Sequence, residues 1–121
     1  MQRRPIEPMA GLAYAQAVEI TNPQRLLFIS GQVPEDPAGR VPPDYRSQYQ
    51  LAWDNVEAKL HAADMTFDNL VKVTIYLSDR RYIKDSFRPK ILGDRFPALT
   101  IIIAGIYDEA WLLEIEAIAA A

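Results

Sequence analysis

The chain has 121 residues and a formal net charge of −3, a length that suits one domain over residues 1–121 and an acidic balance that argues against nucleic acid as a partner. It contains no cysteine and one histidine, His61, which excludes disulfides, a thiol nucleophile, Cys-based metal centres and a multi-histidine metal site in one subunit. No apolar run approaches the roughly 18 residues of a membrane span, and Arg3 and Arg4 are not followed by the apolar segment of a signal peptide, so a cytoplasmic location with no membrane partner is expected.

Residues 1–12 hold two prolines and a glycine and read as an irregular lead-in. Residues 14–20 alternate loosely and suit a first strand. Thr21-Asn22-Pro23-Gln24 is turn chemistry. Leu26-Leu27-Phe28-Ile29 is a short continuous apolar run, consistent with a buried strand that ends at Ser30-Gly31-Gln32. Gly31 suggests a bulge or a close backbone approach. Residues 34–43, with four prolines, form a surface loop.

A long helix follows. Tyr49, Trp53, Val56, Leu60 and Ala63 recur at spacings of three and four, which makes one apolar stripe. Asp44 is a candidate N-cap, with Ser47-x-x-Gln50 as a rival capping box one turn on. His61 lies off the stripe and reads as a surface residue. Val71, Val73, Ile75 and Leu77 then alternate with Lys72, Thr74, Tyr76 and Ser78, the clearest strand in the chain. Asp79 can cap a second helix that breaks near Arg88 and restarts with Pro89 in its first turn, ending at Gly93-Asp94. The basic cluster Arg80, Arg81, Lys84 and Arg88, interleaved with Asp79 and Asp85, reads as a solvated helix face. Residues 99–106 and 111–119 are two further apolar strands around a Tyr107-Asp108-Glu109 turn.

The order is β-β-α-β-α-β-β, which implies an α+β fold with a mixed sheet and two helices on one face. One layer of helices covers one face, and the other still carries Ile, Leu and Trp. Packing alone therefore implies an oligomer. The last strand holds the sharpest anomaly: Glu114 and Glu116 inside an apolar run. They point to the same face, roughly 7 Å apart. Burying an ionised carboxylate costs several kcal/mol, roughly, unless it is paired or wet. That face must meet a cleft, a subunit boundary or water.

The chain resembles the RidA family, also called YjgF or endoribonuclease L-PSP. The resemblance rests on Tyr14-Ala15-Gln16-Ala17-Val18, Ile29-Ser30-Gly31-Gln32-Val33-Pro34, Trp53-Asp54-Asn55-Val56, residues 71–79, Phe96-Pro97-Ala98 and Glu114-Ile115-Glu116-Ala117-Ile118-Ala119. These occur in the family's order and spacing. The resemblance implies a chorismate-mutase-like fold and a homotrimer with small-molecule clefts between subunits. It also implies cofactor-free hydrolysis of enamines and imines to an oxo acid and ammonia. It gives Glu114 the role of positioning or activating water, and puts Tyr14, Ser30 and Gly31 at the ligand, with residues 99 and 100 beside them. One position departs from the pattern. Where family deaminases carry an arginine that grips the substrate carboxylate, this chain reads Pro97-Ala98-Leu99-Thr100. Leu99 offers nothing polar in place of a planar, two-pronged donor.

Two functions follow as expectations. One is a divergent hydrolase of an imine- or enamine-type compound, with activity on the usual 2-imino acids weak or lost. The other is a non-catalytic trimer that binds a metabolite in the same cleft. Nuclease activity has only the family's older name behind it. Arg95, just before Phe96-Pro97, and Arg88, near the helix position that the resemblance brings toward the cleft, are the two candidates to replace the missing arginine, and each is otherwise ordinary surface charge.

Overall fold

The computed structural model describes residues 1–85 and 87–121. Among these residues, six strands form one mixed sheet: β1 (Gln2–Met9), β2 (Tyr14–Thr21), β3 (Leu26–Gln32), β4 (Leu70–Leu77), β5 (Ala98–Ile103) and β6 (Leu113–Ala120). Their spatial order is β1-β2-β5-β4-β6-β3. β2, β5 and β4 run parallel, and the other neighbours are antiparallel. Two α-helices, α1 (Tyr45–Ala62) and α2 (Arg88–Leu92), cover one face. The α+β architecture with both helices on one side agrees with the sequence reading.

Two segments differ from that reading. Residues 2–9 are a strand, not an irregular lead-in. Pro5 and Pro8 are tolerated because β1 is a sheet edge, with a neighbour on one side only. β3 is also an edge strand rather than a buried one. Ile29 is buried, but Leu26 and Phe28 are 57% and 69% exposed.

The core lies between the helices and the covered face. Trp53, Val56 and Leu60 of α1 are fully buried against Val73, Ile75, Leu113 and Ile115. Asp44 does cap α1: its Oδ2 accepts from Ser47 N at 2.9 Å. Gln48, on the first turn but one, is buried with every amide function used. Its Nε2 donates to Pro42 O and Ala110 O, and its Oε1 accepts from Leu112 N. This one side chain ties the loop before α1 to the entry of β6, which is why β6 begins at Leu113 and not at Trp111. His61 is exposed in the last helical turn.

The second helical region is split, as Pro89 predicts. A 3₁₀ segment (Arg80–Lys84) is capped by Asp79 Oδ1, which accepts from Arg81 N at 2.9 Å. α2 then starts at Arg88 with Pro89 in its first turn and stops at Gly93, whose φ of 57° suits glycine. The basic cluster divides here. Arg80, Arg81 and Lys84 are exposed, but Arg88 is only 7% exposed. It is not part of a solvated helix face.

Candidate functional site

Strand alternation sorts the predicted residues onto two faces. In β6, Leu113, Ile115 and Ala117 are buried beneath the helices, while Glu114, Glu116 and Ile118 point to the open face. β6 lies antiparallel to β4, with Tyr76 beside Glu114 and Thr74 beside Glu116. Both glutamates thus share the open face, as their spacing requires.

They differ in their partners. Glu116 Oε1 accepts from the Tyr76 hydroxyl at 2.6 Å. That bond, with lesser contributions from burial and from the charges of Glu116 and Glu114, raises the Tyr76 pKa above its ordinary value. Glu114 instead leans over β3. A Cβ at position 31 would collide with its carboxylate, so Gly31 provides the space that this side chain fills. The β3–β6 ladder shifts register between Ile29 and Gln32 at the same place. The close approach expected at Gly31 is present, and its object is Glu114. Ser30 is exposed next to it and lines a hollow of about 300 Å³ on the open face, with Phe28, Lys72, Thr74, Glu116 and Ile118.

Tyr14, Leu99 and Thr100 lie across the sheet. β2 meets β5 only where they begin, with Ala15 beside Ala98 and Ala15 N donating to Pro97 O at 2.9 Å. This joint brings Tyr14 to the start of β5. Leu99 pairs with Val73, half-buried against the core on the helix-covered face. Thr100 points to the open face, where its Oγ1 accepts from Lys72 Nζ at 2.6 Å. Leu99 and Thr100 therefore do not line one surface.

The structure thus assembles two groups and keeps them apart. Ser30, Gly31 and Glu114 lie on the β3–β6 flank, and Tyr14 and Leu99 on the β2–β5 flank. β4 intervenes, so β5 and β6 are about 10 Å apart. Leu99 and Glu114 also occupy opposite faces of the sheet.

Both candidate arginines are now placed. Arg95 Nε donates to Asp68 Oδ1 at 2.7 Å, and its Nη1 reaches the Leu92 carbonyl. Its charge is spent on holding the chain between α2 and β5. Arg88 Nε donates to Leu12 O at 3.0 Å, and its guanidinium stands 5.6 Å from the centre of the Tyr14 ring. It therefore belongs to the flank of Tyr14 and Leu99. Burial raises the pKa of the neighbouring Tyr49 phenol, an effect opposed by the Trp53 indole and by both the charge and the hydrogen bonding of the Arg88 side chain. The only sequence sign of this placement is that Phe87 and Pro89 enclose Arg88 between two apolar residues.

The six-stranded mixed sheet with helices on one face is the fold seen in solved structures of Rid proteins. One is the Rid-family protein YyfB of Yersinia pestis, with a TM-score of 0.85 at 25% identity over the full length of both chains. The chain belongs to the RidA/YjgF family, whose family model, endoribonuclease L-PSP, matches residues 5–121. A RutC family protein of Haemophilus influenzae is 33% identical over 93% of this chain and 89% of its own. The 2-iminobutanoate/2-iminopropanoate deaminase of Escherichia coli is 36% identical over 60% of this chain and 55% of its own.

Proposed function

We propose that the chain is a subunit of a homotrimer that binds a small metabolite in clefts between subunits and hydrolyses an imine- or enamine-type compound there. The observation that carries this reading is the Glu114 carboxylate, held over Gly31 at a strand edge. It is a carboxylate acceptor suited to orienting a water molecule. In the proposed reaction water adds to the C=N carbon while Glu114 takes its proton. Return of that proton to nitrogen gives the carbinolamine, and transfer of the new hydroxyl's proton to nitrogen then lets ammonia leave as the C–N bond breaks and the C=O bond forms. No cofactor is needed for that balance.

The division of the site supports the assembly. A small ligand cannot touch Glu114 and Tyr14 of one chain when β4 and the sheet itself separate them, but a neighbouring copy can supply the second group. Exposed Leu26, Phe28 and Ile102 give the open face and its edge the apolar surface that association would cover. The relative named as an iminobutanoate and iminopropanoate deaminase points to the reaction class.

Leu99 favours a second reading, a trimer that binds without turnover. Its side chain is packed against the core and cannot grip a carboxylate, so turnover of the usual 2-imino acids is expected to be weak or absent. Ammonia release from freshly generated anionic, neutral and cationic imines decides between the two. Turnover that falls in Glu114→Gln supports the hydrolase. Ligand binding with no turnover of any imine supports the binding trimer.

A further inference from the structure

We propose that the helix-covered face carries a second binding site, apart from the cleft, and that it takes a small phosphate ester with a flat apolar body. The site is a hollow of about 310 Å³ between α1 and α2, with Arg46, Ser47 and Gln50 on one side and Phe87, Lys90 and Ile91 on the other. It lies on the opposite side of the sheet from Glu114, so it stands or falls independently of the cleft.

The first support is charge. The chain as a whole is acidic, at −3, but residues 79–90 hold five cations, Arg80, Arg81, Lys84, Arg88 and Lys90, against two acids, Asp79 and Asp85. Arg46, from the first turn of α1, adds a sixth cation. The helix dipole disfavours a cation at that end, so helix stability does not account for Arg46. All six except Arg88 are exposed, which makes this face locally positive and attractive to anions.

Arg46 and Lys90 share the hollow, and both are exposed. Among the described residues, the ion pairs are Arg4–Glu19, Arg40–Asp36, Arg81–Asp79 and Arg95–Asp68. Neither Arg46 nor Lys90 is in one of them. Two acids of this region stand outside the lining and are engaged elsewhere. Asp44 accepts from Ser47 N and Asp54 from Gln50 Nε2, each at 2.9 Å. Two unpaired cations match one dianion, whereas a carboxylate answers only one of them. A phosphate monoester is close to a dianion at neutral pH, because its second pKa is about 6.

The second support is shape. The Arg46 guanidinium stands 4.3 Å from the centre of the Phe87 ring, a contact that holds the cation against an aromatic wall. Phe87 packs edge-on against Tyr49, with ring centres 6.1 Å apart. Tyr49 is only 3% exposed, so the wall is rooted in the core. Ile91, half-buried, completes the apolar side. A rooted apolar wall beside two cations suits an anion with a flat apolar body better than a bare ion.

The test is an NMR shift titration of the full-length protein with phenyl phosphate, phenol, inorganic phosphate and benzoate. Phenyl phosphate should bind with a dissociation constant of about 1 mM and move the amides of Arg46, Gln50, Lys90 and Ile91. Phenol and inorganic phosphate each lack half of what the hollow offers and should bind about tenfold or more weakly. Benzoate, with one charge, should bind about threefold or more weakly. The Arg46→Gln/Lys90→Gln double variant should lose the preference for phenyl phosphate over phenol. Arg81→Gln removes a cation of the same face outside the hollow and should keep it. Should the double variant fail to fold, the Arg46 Nε resonance of the wild type decides. It should move with phenyl phosphate and stay with phenol. Equal binding of phenol and phenyl phosphate overturns the anion, and equal binding of inorganic phosphate overturns the ester in favour of diffuse surface charge. Benzoate binding as tightly as phenyl phosphate overturns the dianion. Phenyl phosphate shifts centred on Ser30 and Gly31 would put the ligand in the cleft and overturn the second site.

Discussion

The β3–β6 flank and the β2–β5 flank each position one charged side chain, Glu114 half-buried and Arg88 buried, and they do so by different means. On the first, a missing side chain makes the room: Glu114 occupies the space over Gly31. On the second, the charge is braced by neutral groups: Arg88 is fixed by Leu12 O and the Tyr14 ring. Each flank would neutralise the other if they met, yet β4 and opposite sheet faces keep them apart within a chain. Unlike charges that fold together usually pair. In the proposed trimer the two flanks would meet across a subunit boundary.

Changes at Glu114 should break this comparison most strongly. Glu114→Gln keeps the shape and removes the base, so imine turnover should fall by about 10²–10⁴-fold, the usual range for general-base help. The melting temperature should barely move, and ammonia release with a thermal melt checks both. Leu99→Arg tests the opposite flank by returning a cation to β5. Placing a charge against the core should cost about 1–3 kcal/mol, seen as a lower melting temperature. The variant should nevertheless gain turnover of 2-iminopropanoate. Gly31→Ala is subtler. The clash is with the movable end of Glu114, so the carboxylate should swing away while the fold survives. Activity should drop by about tenfold, equivalent to roughly 1.4 kcal/mol of lost transition-state stabilisation, with little change in stability.

How much of this was legible in the sequence depended on range. Local chemistry reads well. The Asp44 cap, the split at Pro89, the stripe of α1 and the shared face of Glu114 and Glu116 all follow from spacings of a few residues. Long-range register does not. Nothing near Tyr76 announces Glu116, forty residues on, as its hydrogen-bond partner. Edge position is equally silent: the apolar run at Leu26 looks buried until the sheet order puts β3 outermost, and β1 hides behind prolines that only an edge tolerates. Arg88 shows the same limit. A charge run looks solvated in sequence, and only the packing of α2 onto the turn before β2 separates one arginine from its neighbours.

A smaller effect concerns three phenols, two on α1 and one on the open face. Tyr45 and Tyr49 ionise above the ordinary range chiefly because they are buried, and Tyr76 chiefly because it donates to Glu116. A raised phenol pKa favours the folded state below its unfolded value of roughly 10, and that contribution is lost as pH rises through the folded value. Absorbance titration should therefore show late-ionising phenols in the native protein. Tyr76→Phe should remove one of them and leave the wild-type response to Glu114→Gln unchanged.

The central claim is that one cleft takes Glu114 from one chain and Tyr14 from another. Subunit mixing tests it most directly. Glu114→Gln and Tyr14→Phe proteins, each defective in turnover alone, are unfolded together in equal amounts and reassembled. Cleft function is then measured by imine turnover. If the flanks come from different chains, random closed trimers should regain about a quarter of the wild-type sites, because each cleft draws one residue from each of two neighbours. If both flanks belong to one chain, every site retains a defect and mixing restores nothing. That second result would contradict the account.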